Sequence, residues 1–576
     1  MACPTYATTS VFDSSPPELQ AASWQHGKFQ IHFRRQVMPR KILLSERSVF
    51  VRKTSGLVRP YDAKDTILIY TLIIFSILNT TLQFPWFFGF WPGADLVGAL
   101  AVAMIPMALL MICYWAIALA MPRSGSDYVW FARITHPSIG FAWSTVYYYM
   151  LLVIGPLTVC FTYGFTISIS LVVWGTLYNA PGLVAFATWL NTPDGTFVFA
   201  FVIFTIYSAF AILGHKLGKA LLYSGWVIQV IALILMWVVM GTSNPTIFAQ
   251  KWDLLMSNYT TYQAVFDTAK SGGWVLAPIT LGATVSSVTF TFMLMSGAAQ
   301  GAGTISGEIR NVNRSIPLAL LFSNLFAFII WSISALAETQ ATSYNWLVAL
   351  SWMWDNGVKY PLPWPPSMPL MLGILTYPNQ MLTLVALGTF VLANIAFAYI
   401  LIVTVSRYFF AWAFDRLIPT KFADVSARFK TPHWALVATW LIAVVTAYFY
   451  AYVGFSNFFA AGSTLMVLCY AVLACTVVVF PFTKWKTLLD QLPAFMRKRV
   501  GLPVISWVGL ATAIFLFYAA YAVTVNPLLT GTAAPLTAYL FGSIFILGIV
   551  IYFASKAYHA SKGIDIGLIF KEVPPT

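Results

Sequence analysis

The chain has 576 residues, of which 59% are hydrophobic and only 9% charged, with a mean hydropathy of +0.78 and a formal net charge of +14. A water-soluble protein is about half apolar and roughly a quarter charged, so most of this chain has a bilayer for its solvent, and its 46 Phe, 28 Tyr and 22 Trp suit the zone where protein meets acyl chain and headgroup. The positive charges are scattered through short loops rather than gathered on one face, which excludes a nucleic-acid reading and makes them reporters of topology.

A hydrocarbon core of about 30 Å needs roughly 20 apolar residues per helix. Residues 1–60 contain no such run and no signal-peptide core, and are expected to form a disordered cytoplasmic tail; Met38, followed by a basic run, would also serve as a start. Apolar spans are predicted at 66–90, 95–121, 139–174, 195–213, 219–241 and 277–303. A second set follows at 316–337, 379–412, 434–453, 457–482, 503–525 and 533–557, and a tail at 558–576 closes the chain. The spans at 139–174 and 379–412 are long enough to require tilt, a kink or extension beyond the membrane, and Gly155-Pro156 offers the first of them a place to bend. Two outer loops are long, 242–276 and 338–378; the second is rich in Trp and Pro and is expected to pack over the extracellular mouth.

With a cytoplasmic N-terminus, the inner segments hold 28 of the 32 Lys and Arg, and the outer loops hold only Lys251, Lys270 and Lys359. The positive-inside rule therefore predicts both termini in the cytoplasm, which requires an even number of spans. Twelve spans meet that requirement, and the cell (plasma) membrane is the expected location.

The chemistry is bounded by absences. All 18 Asp and Glu fall in loops, tails or span ends, and no HExxH, GxSxG or Walker loop occurs. Four of the five cysteines lie in apolar runs, with neither metal-site nor disulfide spacing. An enzyme and an ATP-driven pump are both excluded on these grounds, and no cofactor is implied.

What remains are interrupted helices. The first span carries Ser76, Asn79, Thr80 and Thr81, then Gln83 and Pro85, in mid-bilayer. Those groups are costly there unless they bond back to the helix around a simple kink or face a cavity. The sixth span carries Ser296-Gly297-Ala298-Ala299-Gln300-Gly301, a stretch that is either a small-residue packing face or a weakened helix. The two interruptions open spans one and six, so they are equivalent in two five-helix halves. Paired interruptions of this kind point to a midplane transport site in which freed backbone amides meet a substrate carboxylate.

Three loop motifs carry a family resemblance. Pro122-Arg123-Ser124-Gly125-Ser126-Asp127-Tyr128-Val129 resembles the PRSGGDYVY loop after helix two of amino acid–polyamine–organocation (APC) transporters. Gly307-Glu308-Ile309-Arg310-Asn311-Val312-Asn313-Arg314-Ser315-Ile316-Pro317 is similar to that family's EEVKNPRRNIP after helix six, with Gly307 in place of the first Glu and Val312 in place of Pro. Ser406-Arg407-Tyr408 through Asp415-Arg416-Leu417-Ile418-Pro419, and on to Thr431-Pro432, resembles the signature after helix eight.

The resemblance implies an all-α polytopic fold of the leucine-transporter type, with about 12 transmembrane helices. A transport core would span 61–482, its inverted repeats at 61–241 and 277–482, with helices 11 and 12 in 483–557. It also implies a secondary amino acid permease working by alternating access. Substrate would be held between the breaks, by Ser76, Asn79, Thr80 and Thr81 from helix one and Ser296, Gly297, Ala298 and Gln300 from helix six. Arg123, Asp127, Glu308, Arg407 and Asp415 would serve as cytoplasmic gates; plain topological anchoring and helix capping is the simpler account of them.

The chain departs from the family in ways that bear on coupling. Its first break lacks the GxxxGxG glycines, Gln300 stands near the place of a frequent Glu, and no Lys follows Lys219 in helix five. The stretch around Ala393-Asn394 lacks the paired Ser/Thr of a sodium site, so the coupling ion stays open. With no mid-span carboxylate or arginine to pair a charged side chain, a neutral substrate is favoured, with Tyr147, Tyr148, Tyr149 and Phe397 as candidate lining. The alternatives are carriage of another small amine or nucleobase-like solute, and a non-transporting nutrient sensor on the same fold. The expected partners are a small-molecule substrate and membrane lipid, with no nucleic acid.

Overall fold

The computed structural model describes residues 56–74, 84–157, 164–393, 395–453, 456–525 and 534–574, and the expectation of disorder over 1–60 falls mostly outside them. Eight helices are long and apolar enough to cross a membrane: Leu96–Ala120, Pro193–Ile212, His215–Gly241, Val312–Thr342, His433–Val453, Thr464–Phe482, Val504–Val525 and Ala538–Ser561. Four further apolar traverses are described as shorter helices. They are Ala63–Ile74 with Phe84–Phe90, Pro137–Leu157 with Gly164–Leu177, Leu281–Ser286 with Val288–Met295 and Gly297–Ile305, and Gln380–Ala393 with Ile395–Phe414. Taken in chain order these make twelve spans among the described residues, the shorter pieces composing spans 1, 3, 6 and 8. The protein is an all-α polytopic membrane protein; among the described residues the one strand pair is the two-residue hairpin Arg499–Val500 with Leu502–Pro503, turning on Gly501 at φ 72°.

Local chemistry sets the span ends. Asp95 accepts from the amides of Val97 and Gly98, both at 3.0 Å, which satisfies the orphan donors that open span 2. Thr192 and Asn244 do the same for the helices that follow them, each with proline in the first turn, where the missing amide costs nothing. The faces follow the helical period. On span 5, Val227, Ile231, Ile234 and Val238 are about half exposed and form a lipid-facing stripe, while Gly218, Leu222, Gln229, Ala232 and Met236 turn inward.

The packing of the spans shows the internal repeat. Span 1 packs on span 7 as span 6 packs on span 2, and span 5 packs on span 8 as span 10 packs on span 3. Span 4 lies on span 8 as span 9 lies on span 3, and spans 4 and 9 lie against each other. Exchanging each of the first five spans for the one five places later turns this pattern into itself. Five crossings separate the equivalents, so they run in opposite directions, and the relation is that of an inverted 5+5 repeat. Spans 11 and 12 stand outside it, packed on spans 10 and 3.

The two faces differ. One carries the basic loops. The other is capped by the helices Pro245–Met256, Tyr262–Ser271, Tyr344–Asp355 and Met368–Thr376. Trp252 and Trp346 are buried in that cap, Trp346 stacks on Tyr262 with ring centroids 5.3 Å apart, and Tyr344–Asp355 lies against Phe84–Phe90 of span 1. The Trp- and Pro-rich segment thus folds onto the protein.

Candidate functional site

Span 6 is interrupted at Ser287 and Ser296, yet both keep helical φ/ψ. At Ser296 the backbone amide reaches back three residues, to the Met293 carbonyl at 3.4 Å, and the hydroxyl bonds the same oxygen at 2.9 Å. A tightened turn of this kind bends a helix without unwinding it. The glycines expected to weaken the helix lie within the helix Gly297–Ile305, where they serve close approach. A Cβ at Gly297 would stand 3.1 Å from Ile73 Cγ2, and one at Gly301 would stand 2.9 Å from the Tyr70 ring. Spans 1 and 6 therefore touch backbone to side chain at Tyr70 and Ile73.

Of the residues predicted to hold substrate, Ser76, Asn79, Thr80 and Thr81 lie outside the described residues, as do the side chains of Ala298, Gln300 and Phe397. Ser296 is fully buried, and its carbonyl accepts from the Tyr470 hydroxyl at 3.3 Å. Tyr470 in turn packs edge-on against Tyr114 and Tyr147, whose hydroxyls lie 3.3 Å apart, and Tyr147 packs on Tyr408. Tyr148 is buried beside Tyr408, Phe409 and Trp412. A layer of tyrosines drawn from spans 2, 3, 8 and 10 thus separates the bend at Ser296 from the basic face.

On that face the three sequence motifs converge. Arg407, at the end of span 8, donates through Nε and Nη2 to the two oxygens of Glu308, at 2.6 and 3.0 Å, and both residues are buried. The Ser124 hydroxyl adds a contact to Glu308 at 3.3 Å. Asp415 is held the same way by Arg133, at 2.6 and 2.9 Å, with a third donor in the Tyr128 hydroxyl at 2.6 Å. Buried charges are tolerable only when paired in good geometry with their remaining lone pairs satisfied, and both pairs meet that test. The backbone joins in as well: the Gly125 amide bonds the Thr304 carbonyl at 2.9 Å, and the Ser306 hydroxyl bonds the Arg123 carbonyl at 3.0 Å.

Among the described residues Arg123 pairs with no carboxylate; its guanidinium donates to the Pro574 carbonyl of the C-terminal segment. That segment is docked rather than loose, since Phe570 lies under Arg133 and its carbonyl accepts from Lys484 at 3.1 Å. Asp127 is wholly buried: Oδ2 accepts from the Tyr408 hydroxyl at 3.1 Å, and Oδ1 has no hydrogen-bond partner. A further latch ties the start of span 1 to span 5, where Lys219 bonds Asp65 at 2.5 Å and the Pro60 carbonyl at 2.8 Å.

Sequence reasoning named Arg123, Asp127, Glu308, Arg407 and Asp415, and the structure gathers all five on one face. Tyr128 and Tyr408 were quoted within the motifs without a role, and Arg133 and the docked C-terminal segment were given none.

The family comparison agrees with this geometry. A family model described as amino acid permease matches residues 91–563, most of the chain. No curated protein matches it closely enough to be named beside it.

Proposed function

The chain belongs to the amino acid permease family, whose members are transporters, and on that premise we propose that it carries neutral amino acids across the membrane by alternating access. The observation that carries the neutral assignment is the setting of the span-6 bend. Ile73, Met293 and Tyr470 touch it, and in the neighbouring gate Glu308 and Asp415 are each held by an arginine of their own. A charged substrate side chain would need a counter-ion that these groups do not supply. The α-carboxylate and α-amine meet the backbone at Gly297 and Ala298 and the polar side chains of Ser76, Asn79, Thr80, Thr81, Ser296 and Gln300.

In this reading the basic face is cytoplasmic, both termini lie there, and the membrane is the plasma membrane. The charge distribution along the chain supports it. The cluster of Arg123, Asp127, Glu308, Arg407 and Asp415 then acts as the cytoplasmic gate, and its buried ion pairs support reading this arrangement as the shut one. The core runs from 61 to 482, with repeats 61–241 and 277–482 and helices 11 and 12 appended. Opening requires the Arg407–Glu308 contact between span 8 and the loop after span 6 to separate, which ties gate movement to the helix that bears the substrate bend.

Purified protein in liposomes, offered a panel of labelled amino acids, tests the proposal. Saturable uptake of a neutral amino acid, reduced at least tenfold in Asn79→Ala and Gln300→Ala, is the expected result. Uptake of a nucleobase or simple amine in its place moves the assignment to the rival solute class. Binding of an amino acid without flux makes the protein a sensor.

A further inference from the structure

Three buried carboxylates stand in the cytoplasmic gate, and two of them are neutralised. Glu308 faces Arg407, and Asp415 faces Arg133. The third, Asp127, lies on the short helix Ser126–Ile134 between spans 2 and 3 and has no ion pair among the described residues. The groups that face it are Tyr70 from span 1, Tyr114 from span 2, Tyr147 from span 3, Tyr408 from span 8 and the Cys469 thiol from span 10. Span 6 contributes Gly303, where a Cβ would stand 2.1 Å from Oδ2, so the helix backbone itself lies against the carboxyl group. A lone carboxyl among phenols and a thiol is costly to ionise.

We propose that Asp127 is the proton-binding site that couples transport to a proton gradient. This rests on the transport reading above. In the closed gate the carboxyl holds a proton. When span 6 and span 1 move apart, water reaches Asp127, the carboxylate becomes the favoured form and the proton leaves. One O–H bond breaks and forms per cycle, with no other bond changed. Closure favours the acid, and by linkage the acid favours closure. Burial pushes this carboxyl up to about 7, which places its titration near neutral pH. A sequence of contacts joins it to the substrate bend: Asp127 to the Tyr408 hydroxyl, the Tyr408 ring to Tyr147, Tyr147 to Tyr470, and the Tyr470 hydroxyl to the Ser296 carbonyl. A metal cation is a poorer fit, since it asks for a cage of oxygen ligands rather than aromatic rings and a thiol.

Two readouts on the full chain test this. In sodium-free liposomes with an acidic exterior, the wild type should accumulate the amino acid it exchanges. Asp127→Asn should lose that accumulation, and its exchange should lose its dependence on pH. Tyr408→Phe removes a donor to the ionised form, so it should move the pH midpoint upward. Infrared difference spectra supply the second readout: a carboxylic acid band titrating near neutral pH should be present in wild type and missing in Asp127→Asn. Gradient-driven accumulation in Asp127→Asn, or identical titrating bands in the two proteins, overturns the proposal. If the wild type moves no amino acid, the transport reading fails, and the infrared titration still decides whether Asp127 binds a proton. If Asp127→Asn does not fold, the Tyr408→Phe midpoint decides: an upward shift supports the site and an unmoved midpoint rejects it.

Discussion

Arg407 and Asp127 lie in the same closure and meet opposite treatment. The arginine has a bidentate carboxylate partner, while the aspartate has phenols beside it, Tyr408 at 3.1 Å and Tyr114, and no cation among the described residues. Leaving a buried charge without its partner costs roughly 3–5 kcal/mol. Glu308→Ala should therefore lower the melting temperature in detergent sharply, and adding Arg407→Met should restore much of the loss. Equal melting temperatures for Glu308→Ala and wild type would show that the pair is exposed in solution. Asp127 makes a different prediction. Its carboxyl stands at about 7 in the folded chain against an ordinary 3.8, so the folded state binds the proton more tightly. The stability that follows is full at low pH and fades as pH rises through about 7. Thermal stability should fall between about pH 4 and about pH 7, and by less in Asp127→Asn. An unchanged slope in that variant contradicts the assignment.

At the scale of elements, the loops explain a departure in the sequence. Gly307 stands where relatives carry glutamate, and a Cβ there would lie 2.4 Å from the Ser124 backbone amide. Here the loop after span 6 presses directly on the loop after span 2. Overpacking a contact of this kind costs about 1–3 kcal/mol, so Gly307→Ala should loosen the closure. The expected signs are a lower melting temperature and faster proteolysis within 122–136; protection equal to wild type in that segment counts against it. The spans themselves were legible, because twenty-residue apolar runs have few other fates. Helix boundaries were less so. Span 7 was expected over 316–337 and runs over Val312–Thr342, since Pro317 near its start is tolerated. The span-6 glycines were read as either a packing face or a weakened helix, and they sit in a helix that needs them to approach Tyr70 and Ile73, as the packing face requires.

At the scale of the molecule, the repeat was implied by the family resemblance, but the pairings of the buried charges were not. Arg133 and Asp415 are 282 residues apart, and Glu308 and Arg407 are 99 apart. Motifs brought Asp415, Glu308 and Arg407 to notice singly, and only packing shows which charge answers which. The C-terminal segment likewise read as a tail, although its carbonyls at Glu572 and Pro574 accept from Arg133 and Arg123. Because that docking joins the tail to the helix bearing Asp127, deletion of 566–576 should change the pH dependence of exchange as well as its rate. A deletion that alters rate alone would confine the tail to a structural role. The central claim is that this molecule carries a neutral amino acid through one site open to each side in turn. Counterflow tests it most directly: liposomes loaded with an excess of one unlabelled neutral amino acid are diluted into a trace of the labelled form. Alternating access predicts transient accumulation of label above the equilibrium level, and no accumulation in vesicles loaded with buffer. Label that merely equilibrates, at the same rate whatever the vesicles contain, would contradict a carrier and with it the account of the gate.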